Sequence, residues 1–161
     1  MNLMKKIKKS LLTKIIYRDM LGTSNKTNRG RRAMQQRVQT KNAPEAIGPY
    51  SQAVICGGMV YTSGQIPLSP VTGAVIDGDI SVQATQTLEN LKAVLEAAGS
   101  NPELVVKTTC FLADMADFTV FNSIYATFFP NKPARSCVAV KQLPKGVLVE
   151  VEAVAEVSEK G

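Results

Sequence analysis

The amino-acid sequence predicts an α+β domain in which one mixed β-sheet carries two α-helices on one of its faces. Segments rich in β-branched residues, which favour strands, are separated by turns that contain glycine or proline. Two further segments place apolar residues at helical spacing, and the elements follow one another in the order ββαβαββ. The chain of 161 residues is long enough for one such domain and a tail. Because the second face of the sheet also needs cover, we expect several copies of the chain to associate.

The first two strands are predicted to form a hairpin. Residues 50–55 and 59–63 are strand-like, and Cys56-Gly57-Gly58 between them has the composition of a tight turn. Residues 69–78 contain two glycines and one proline, and they are therefore predicted to form a surface loop.

Two amphipathic segments predict the helices. Apolar residues recur at helical spacing in residues 80–98, with Ser81 as the expected N-cap and Gly99 as the expected left-handed residue beyond the end. A second helix is predicted over residues 118–128, with Asp117 as its cap. Each helix has one apolar side, which we expect to pack on the sheet.

Three more strands complete the predicted sheet. Residues 104–112 are rich in β-branched side chains, and residues 136–140 form a shorter strand after a proline-containing link. In residues 147–157, valines alternate with Glu150 and Glu152, so the two carboxylates are predicted to point to the same face of the sheet.

Charge divides the chain into a basic tail and a mildly acidic body. Residues 1–41 contain twelve Lys or Arg and one acidic residue, a net charge of +11. Residues 42–161 contain seven basic and twelve acidic residues, a net charge of −5. We therefore place the boundary between an N-terminal extension and the folded domain at residue 41. The extension begins as an imperfect basic amphipathic helix, and its second half, residues 22–39, is expected to be disordered.

The acid-poor, basic and amphipathic start of this extension is typical of a transit peptide, most simply a mitochondrial one. The alternatives are a cytoplasmic protein with a solvated tail, a plastid address, and an arm that binds nucleic acid or a membrane surface. Tyr17 is the one aromatic residue of the extension, which weakens the nucleic-acid interpretation. The apolar stretches of the chain are too short to predict a membrane-spanning helix.

The composition excludes several kinds of site. The chain has no histidine, so triads that use histidine, facial iron triads and zinc sites with histidine ligands are excluded. Its cysteines, Cys56, Cys110 and Cys137, are far apart and are expected to be reduced thiols. No carboxylate cluster has metal-site spacing and no phosphate-binding loop is present, so we expect no metal site.

Arg135 is the leading candidate for binding an anion. It is the one arginine after residue 41, and it stands just before a predicted strand in an acidic body. Its planar guanidinium matches a carboxylate with two parallel hydrogen bonds. A surface salt bridge is the alternative interpretation.

Other polar side chains have both a functional and a structural interpretation. Glu150 and Glu152 face either solvent or a polar pocket at a subunit boundary, where a carboxylate positions water or moves a proton. Cys137 is either a thiolate nucleophile or a small buried thiol. Tyr50 and Ser63 either donate hydrogen bonds to a ligand or have packing and capping roles.

Four motifs occur in order along the body of the chain. They are Ile47-Gly48-Pro49-Tyr50-Ser51-Gln52, Thr62-Ser63-Gly64-Gln65-Ile66-Pro67, Pro133-Ala134-Arg135-Ser136-Cys137, and Leu143-Pro144 followed by Val149-Glu150-Val151-Glu152-Ala153-Val154-Ala155. Together they resemble the motifs of the RidA (YjgF/YER057c/UK114) family. The resemblance covers residues 38–157 and leaves only the front of the chain outside.

The resemblance implies a chorismate-mutase-like fold and a homotrimer, in which the three sheets form an inner barrel and the active sites lie in clefts between subunits. It also implies an enzyme of metabolite repair, a hydrolase that deaminates reactive enamines and imines without a cofactor or a metal. The implied substrates are 2-iminobutanoate and 2-iminopropanoate, which yield 2-oxo acids and ammonia.

The resemblance assigns roles to individual residues as well. Arg135 would bind the substrate carboxylate and Glu150 would hold or activate the attacking water, as the two catalytic residues. The implied substrate-binding residues are Tyr50, Ser63, Gly64, Asn122 and Cys137, with Gly64 and Cys137 acting through their main chain.

Two hypotheses belong to other functional classes. In one, the same cleft binds a small carboxylate without turnover, or the protein acts as a chaperone-like surface. In the other, the protein is an RNA-directed translation inhibitor. The acidic body opposes RNA binding, because phosphate contacts come mostly from Lys and Arg. We predict that any RNA binding is lost when residues 1–41 are deleted.

Overall fold

The computed structural model describes residues 34–158, which form one six-stranded sheet and two helices. The strands are β1 (Gln36–Val38), β2 (Ala53–Cys56), β3 (Met59–Thr62), β4 (Val105–Leu112), β5 (Ala134–Ala139) and β6 (Val149–Glu156), and the helices are α1 (Ile80–Ala97) and α2 (Phe118–Phe128). The strand order across the sheet is β1-β2-β3-β6-β4-β5. Strands β4 and β5 are parallel and the other neighbours are antiparallel. The predicted mixed sheet with two helices is confirmed.

Both helices pack on the same face of the sheet. Side chains of a strand point alternately to opposite faces, so every second residue of β6 is buried beneath the helices. Residues of this layer with almost no exposed surface include Val149, Val151 and Ala155 from β6, Leu88, Leu91 and Leu95 from α1, and Phe121 from α2. Burial of each leucine or phenylalanine stabilises the fold by about 1.5–3 kcal/mol, so this layer is the main source of stability.

The opposite face of the sheet is only partly covered by the residues that the structure describes. Glu150 and Glu152 point to this face and are half-buried. Tyr61 of β3 and Val138 of β5 lie on the same face and remain 49% and 47% exposed. Exposed apolar side chains of this kind on a sheet are the expected surface for association with another molecule.

Strand β1 lies in the segment for which the sequence predicts disorder. Residues Gln36–Val38 pair with β2, with Val38 opposite Ala53, and both of these side chains are buried. The expectation of disorder over residues 22–39 is therefore wrong at this strand, because three residues are too few to show an alternating pattern. The predicted amphipathic helix at the start of the extension lies outside the described residues.

Strand β2 begins three residues later than predicted. The backbone N–H of Tyr50 donates to the carbonyl of Gly48 at 2.8 Å, which makes a turn where the sequence predicts the start of a strand. The segment before Ala53 is therefore a loop, and it carries Tyr50 at the rim of the sheet.

Helix α1 has the predicted end but not the predicted cap. Asp79, not Ser81, is the N-cap, and its side chain accepts a hydrogen bond from the N–H of Val82 at 3.1 Å. At the other end Gly99 has a φ of +77°, and the N–H of Ser100 donates to the carbonyl of Leu95 at 2.9 Å. This is the expected Schellman arrangement, which favours glycine because of its positive φ.

Helix α2 has no side-chain cap at Asp117. A 3₁₀ turn over Met115–Asp117 leads into it, and Asp114 caps that turn by accepting a hydrogen bond from the N–H of Ala116 at 2.9 Å. The predicted role of Asp117 is therefore taken by Asp114, one turn earlier. Within residues 34–158, neither helix is long and apolar enough to cross a bilayer.

Candidate active site

A cavity of about 640 Å³ opens beside the start of β6. Four of the residues implicated by the sequence line it together, namely Tyr50, Ser63, Gly64 and Glu150. Its remaining wall is mostly apolar and includes Ile47 and Ile66. A pocket with apolar walls and a few convergent polar groups is the usual form of a small-molecule site.

Glu150 is one of four titratable residues that line this cavity, together with Glu45, Tyr50 and Lys145. It lies on β6, opposite Phe111 of β4, and points away from the helices. Burial raises the pKa of its carboxyl group, and the negative charge of Glu152 raises it further. A carboxylate with a raised pKa is a stronger base than an exposed glutamate, so Glu150 is suited to accept a proton from water.

Gly64 packs directly against Glu150. A Cβ atom added at Gly64 would lie 2.7 Å from the Cδ atom of Glu150, which is closer than real carbon atoms approach. The neighbouring segment is held to β6 by two backbone hydrogen bonds, from Gln65 N–H to the Val151 carbonyl at 2.9 Å and from Val151 N–H to the Gln65 carbonyl at 3.0 Å. The absent side chain at Gly64 therefore sets the position of the carboxylate.

Ser63 is tied to the loop that carries Tyr50. Its hydroxyl donates to the carbonyl of Ser51 at 2.7 Å, and its N–H donates to the carbonyl of Gln52 at 2.9 Å. Ser63 thus lines the cavity but uses its hydroxyl within the protein. Tyr50 is 55% exposed at the cavity mouth, where its ring is accessible to a ligand.

Sequence reasoning missed two buried amides that fix the walls of the cavity. The side chain of Gln52 donates to the carbonyl of Pro44 at 2.7 Å and accepts from the N–H of Thr40 at 2.7 Å, which anchors the loop before Tyr50. The side chain of Asn90 donates to the carbonyls of Ile66 and Leu68, at 3.0 and 2.9 Å. A polar residue among the buried positions of α1 was the available signal for Asn90.

Arg135 and Cys137 lie elsewhere in the chain, on edge strand β5. In the parallel pairing with β4, Arg135 is opposite Thr108 and Cys137 is opposite Cys110, and both β4 residues are buried on the helix side. Arg135 and Cys137 therefore point to the helix side of the sheet, whereas Glu150 points to the other side. The structure does not bring the two predicted catalytic residues together within one chain.

Arg135 is held by aromatic rings of α2. Its Cζ atom lies 4.6 Å from the ring centre of Tyr125 and 5.6 Å from that of Phe118. No carboxylate of residues 34–158 lies within 4.0 Å of its guanidinium nitrogens, so the surface salt bridge is not formed there. Asn122 is exposed on α2, one helical turn from both rings, and so belongs to the same side of the sheet as Arg135.

The thiol of Cys137 is not activated as a nucleophile. Burial raises the pKa of this thiol, and this effect exceeds the lowering caused by the guanidinium of Arg135. Burial also raises the pKa of the neighbouring Cys110 to about 12. Both thiols therefore stay protonated near neutral pH. In the described part of the chain, no three His, Cys, Asp or Glu side chains are grouped as metal ligands.

Comparison with known proteins covers nearly the whole described domain. Residues 40–157 match the family model described as endoribonuclease L-PSP. A Salmonella typhimurium protein named 2-iminobutanoate/2-iminopropanoate deaminase is 53% identical over 126 residues, which are 76% of this chain and 98% of that protein. A Lactococcus lactis protein named as a candidate regulator, AldR, is 50% identical over 121 residues, 74% of this chain and 96% of that protein.

Solved structures give the same result for the fold. The crystal structure of E. coli TdcF with bound serine matches with a TM-score of 0.73 and 46% sequence identity, covering 76% of this chain and 99% of that chain. The relatives are matched over nearly their full length, and the family match over residues 40–157 includes every strand from β2 to β6. The chain belongs to the RidA (YjgF/YER057c/UK114) family.

Proposed function

We propose that the protein is a cofactor-free hydrolase that deaminates 2-iminobutanoate and 2-iminopropanoate to 2-oxo acids and ammonia. The observation that carries the proposal is the pair of functional groups. Arg135 presents a guanidinium without a carboxylate partner among the described residues, and Glu150 presents a half-buried carboxylate whose pKa is raised. The name of the Salmonella relative supports the same reaction.

These two groups supply what imine hydrolysis needs. The carbon of a protonated imine is already electrophilic, so the enzyme has to orient the substrate and place one water molecule. Arg135 would bind the substrate carboxylate through two hydrogen bonds. Glu150 would accept a proton as the water oxygen bonds to the imine carbon, and then return it to the nitrogen. The carbon–nitrogen bond then breaks and ammonia leaves, while the hydroxyl of the intermediate gives its proton to Glu150 and becomes the carbonyl of the 2-oxo acid. The proton passes from Glu150 to ammonia, which is released as ammonium, and the Glu150 carboxylate is regenerated.

We further propose that the site is completed between copies of the chain in a homotrimer. Arg135 and Glu150 point to opposite faces of one sheet, so a single substrate reaches both only if they come from two chains. The sheet face that carries Glu150 also carries the exposed side chains Tyr61 and Val138, and so offers an apolar surface for the association.

An imine-trapping assay of the full-length chain tests the activity. An amino-acid oxidase generates 2-iminobutanoate, semicarbazide traps the imine that survives, and the rate of semicarbazone formation is recorded. We expect the wild-type protein to suppress this rate, whereas Arg135→Ala and Glu150→Gln do not. If the wild-type protein is folded and associated but leaves the rate unchanged, the deaminase proposal is wrong for this substrate.

Subunit mixing tests the shared site. We expect co-expressed Arg135→Ala and Glu150→Gln chains to recover activity, since some sites then receive Arg135 from one chain and Glu150 from the next. Random mixing in a trimer restores about a quarter of the sites. The matched control mixes Glu150→Gln with Gly64→Val, which lie in the same cavity of one chain, and no recovery is expected. Absence of recovery in the first mixture would contradict the shared site.

A non-catalytic carboxylate-binding protein is the second candidate function. The observation that favours it is the solved structure of E. coli TdcF with bound serine, a small molecule that carries a carboxylate. The two candidates differ in turnover. Binding of 2-oxobutanoate by calorimetry, together with no effect in the trapping assay, would favour the binding protein.

We also propose that residues 1–41 direct the protein to mitochondria. The support is the net charge of +11 and the near absence of acidic residues in this segment. Fusion of residues 1–41 to a fluorescent protein tests the proposal. Mitochondrial fluorescence is expected, and a diffuse cytoplasmic or a plastid signal would contradict it.

A further inference from the structure

The guanidinium of Arg135 is positioned by aromatic rings rather than by a carboxylate. Its Cζ atom lies 4.6 Å from the ring centre of Tyr125 and 5.6 Å from that of Phe118. A guanidinium within about 6 Å of a ring centre is attracted to the negative face of the ring. Since no carboxylate among residues 34–158 lies within 4.0 Å, these two rings are the charge-stabilising contacts in the described domain.

The ring of Tyr125 is itself fixed in place. Its hydroxyl shares a hydrogen bond of 2.7 Å with the hydroxyl of Thr108, the β4 residue directly opposite Arg135. Its ring centre lies 4.6 Å from that of Phe129 and 5.8 Å from that of Phe121. Burial raises the pKa of Tyr125, so the phenol is neutral and adds no charge of its own. The ring is therefore held by a hydrogen bond at its hydroxyl group and by two neighbouring aromatic rings.

Ring contact and carboxylate binding use different parts of a guanidinium. The flat face of the group meets an aromatic ring, whereas the N–H donors lie in its plane and point outward from its edge. A salt bridge would occupy those donors, but a ring on the face leaves them available. We propose that Tyr125 and Phe118 are positioning residues, which hold Arg135 by its face and leave its edge for the substrate carboxylate.

This inference rests on the proposed function, because it concerns how the proposed carboxylate anchor is oriented. It also concerns two residues to which the sequence analysis gave no individual role. Phe118 and Tyr125 are seven positions apart on α2 and therefore on the same side of the helix, with Asn122 between them. One stripe of α2 thus serves both the core and the anchor.

Binding of two matched ligands to the full-length protein tests the inference. The ligands are 2-oxobutanoate and its neutral amide, which differ only in the group that Arg135 is proposed to bind. We expect Tyr125→Leu and Phe118→Leu to weaken 2-oxobutanoate binding, by about tenfold for Tyr125→Leu, and to leave amide binding within about twofold. Tyr125→Phe keeps the ring, so its 2-oxobutanoate affinity should stay close to that of the wild-type protein.

Leu95→Ala is the control for loss of packing. Leu95 is buried in the same core layer but lies on α1, and it takes no part in the ring contacts around Tyr125 and Arg135. We expect this variant to lose thermal stability while it binds both ligands normally. The proposal is overturned if Tyr125→Leu binds both ligands as tightly as the wild-type protein does. It is also overturned if Tyr125→Phe loses as much as Tyr125→Leu, or if both ligands are weakened equally.

The design separates this inference from the proposed reaction. If the wild-type protein binds 2-oxobutanoate and the selective loss is seen, but imine is not hydrolysed, the reaction is wrong and the positioning role stands. If the wild-type protein does not prefer the carboxylate to the amide, Arg135 is not a carboxylate anchor and the positioning role falls. Where imine is hydrolysed, Tyr125→Leu should raise KM more than it lowers kcat.

Discussion

The cavity around Glu150 and the surface around Arg135 lie on opposite faces of one sheet and are built by different interactions. Around Glu150, backbone hydrogen bonds and the missing side chain of Gly64 define the space that the carboxylate occupies. Around Arg135, two aromatic rings of α2 hold a long and flexible side chain. In the first region the shape of the cavity fixes the short Glu150 side chain. In the second region cation–π attraction to two rings fixes the long Arg135 side chain. The difference predicts that the two regions respond differently to substitution.

The largest effect on activity is expected from changes to the guanidinium group of Arg135. Arg135→Lys keeps the charge but loses the planar pair of donors, so kcat/KM for 2-iminobutanoate should fall about a hundredfold, and Arg135→Ala should lower it further. The trapping assay over a range of imine concentrations measures the change. Arg37→Lys is the matched control, since Arg37 is the other arginine of the described residues and is exposed. Equal activity of Arg135→Lys and wild type would show that charge alone is sufficient.

A smaller effect is expected from adding one methyl group to the cavity. In Gly64→Ala the new Cβ atom displaces the Glu150 carboxylate, and a shift of about 1 Å at a reacting group costs up to about a hundredfold in kcat. Binding of 2-oxobutanoate should change less, because Arg135 is untouched. Gly73→Ala is the control, because its left-handed backbone (φ +68°) makes the alanine costly for stability, while the new Cβ atom would meet no other atom within 4 Å and so leaves Glu150 in place. A normal kcat for Gly64→Ala would show that the position of Glu150 is not critical.

The pH profile offers a finer comparison of the two regions. Glu150 must lose its proton to act as a base, so activity should fall as the pH drops through its raised pKa. Removing the Glu152 charge in Glu152→Gln lowers the pKa of Glu150, and the acidic limb of kcat/KM should move to lower pH. Glu156→Gln, on the same face at the end of β6, should leave the limb in place. An unshifted limb in Glu152→Gln would assign the limb to another group.

The smallest effect concerns stability. The raised pKa means that the folded protein binds the Glu150 proton more tightly than the unfolded chain does, so this group favours the folded state less as the pH rises. Glu150→Gln removes this dependence. Its Tm relative to wild type should therefore be higher at pH 7 than at pH 4, by about 2 °C because solvent screens a half-exposed group. Calorimetry at the two pH values checks the sign, and the opposite sign would contradict the raised pKa.

Local patterns made much of the fold predictable. The alternation of valines and glutamates along β6, and the glycine after α1, identify their elements without knowledge of the rest of the chain. Strand β1 was missed because its three residues have no local pattern, and Asp79 displaced Ser81 because both are acceptable caps two positions apart. The pairing of β1 depends on residues at least 15 positions away, whereas the choice between two acceptable caps is local and the sequence pattern does not decide it.

The candidate site could also be predicted only in part. The side-chain chemistry of Arg135 and Glu150 identifies them as candidate functional residues, and the motifs around them resemble a known family. That they face opposite sides depends on how β5 and β6 pair with β4, since Arg135 aligns with Thr108 and Glu150 with Phe111. The structural role of the buried Gln52 amide could not be predicted from the sequence either, because its hydrogen-bond partners lie up to twelve residues away in a loop.

The opposite orientations of Arg135 and Glu150 have a consequence for the proposed enzyme in dilute solution. A lone chain would hold both groups and still be inert, because no single substrate touches the two. Specific activity would then depend on protein concentration and would vanish below the dissociation constant of the assembly, even for fully folded chains. In such a protein the assembled oligomer is the catalytic unit, because each chain contributes Arg135 to one site and Glu150 to another.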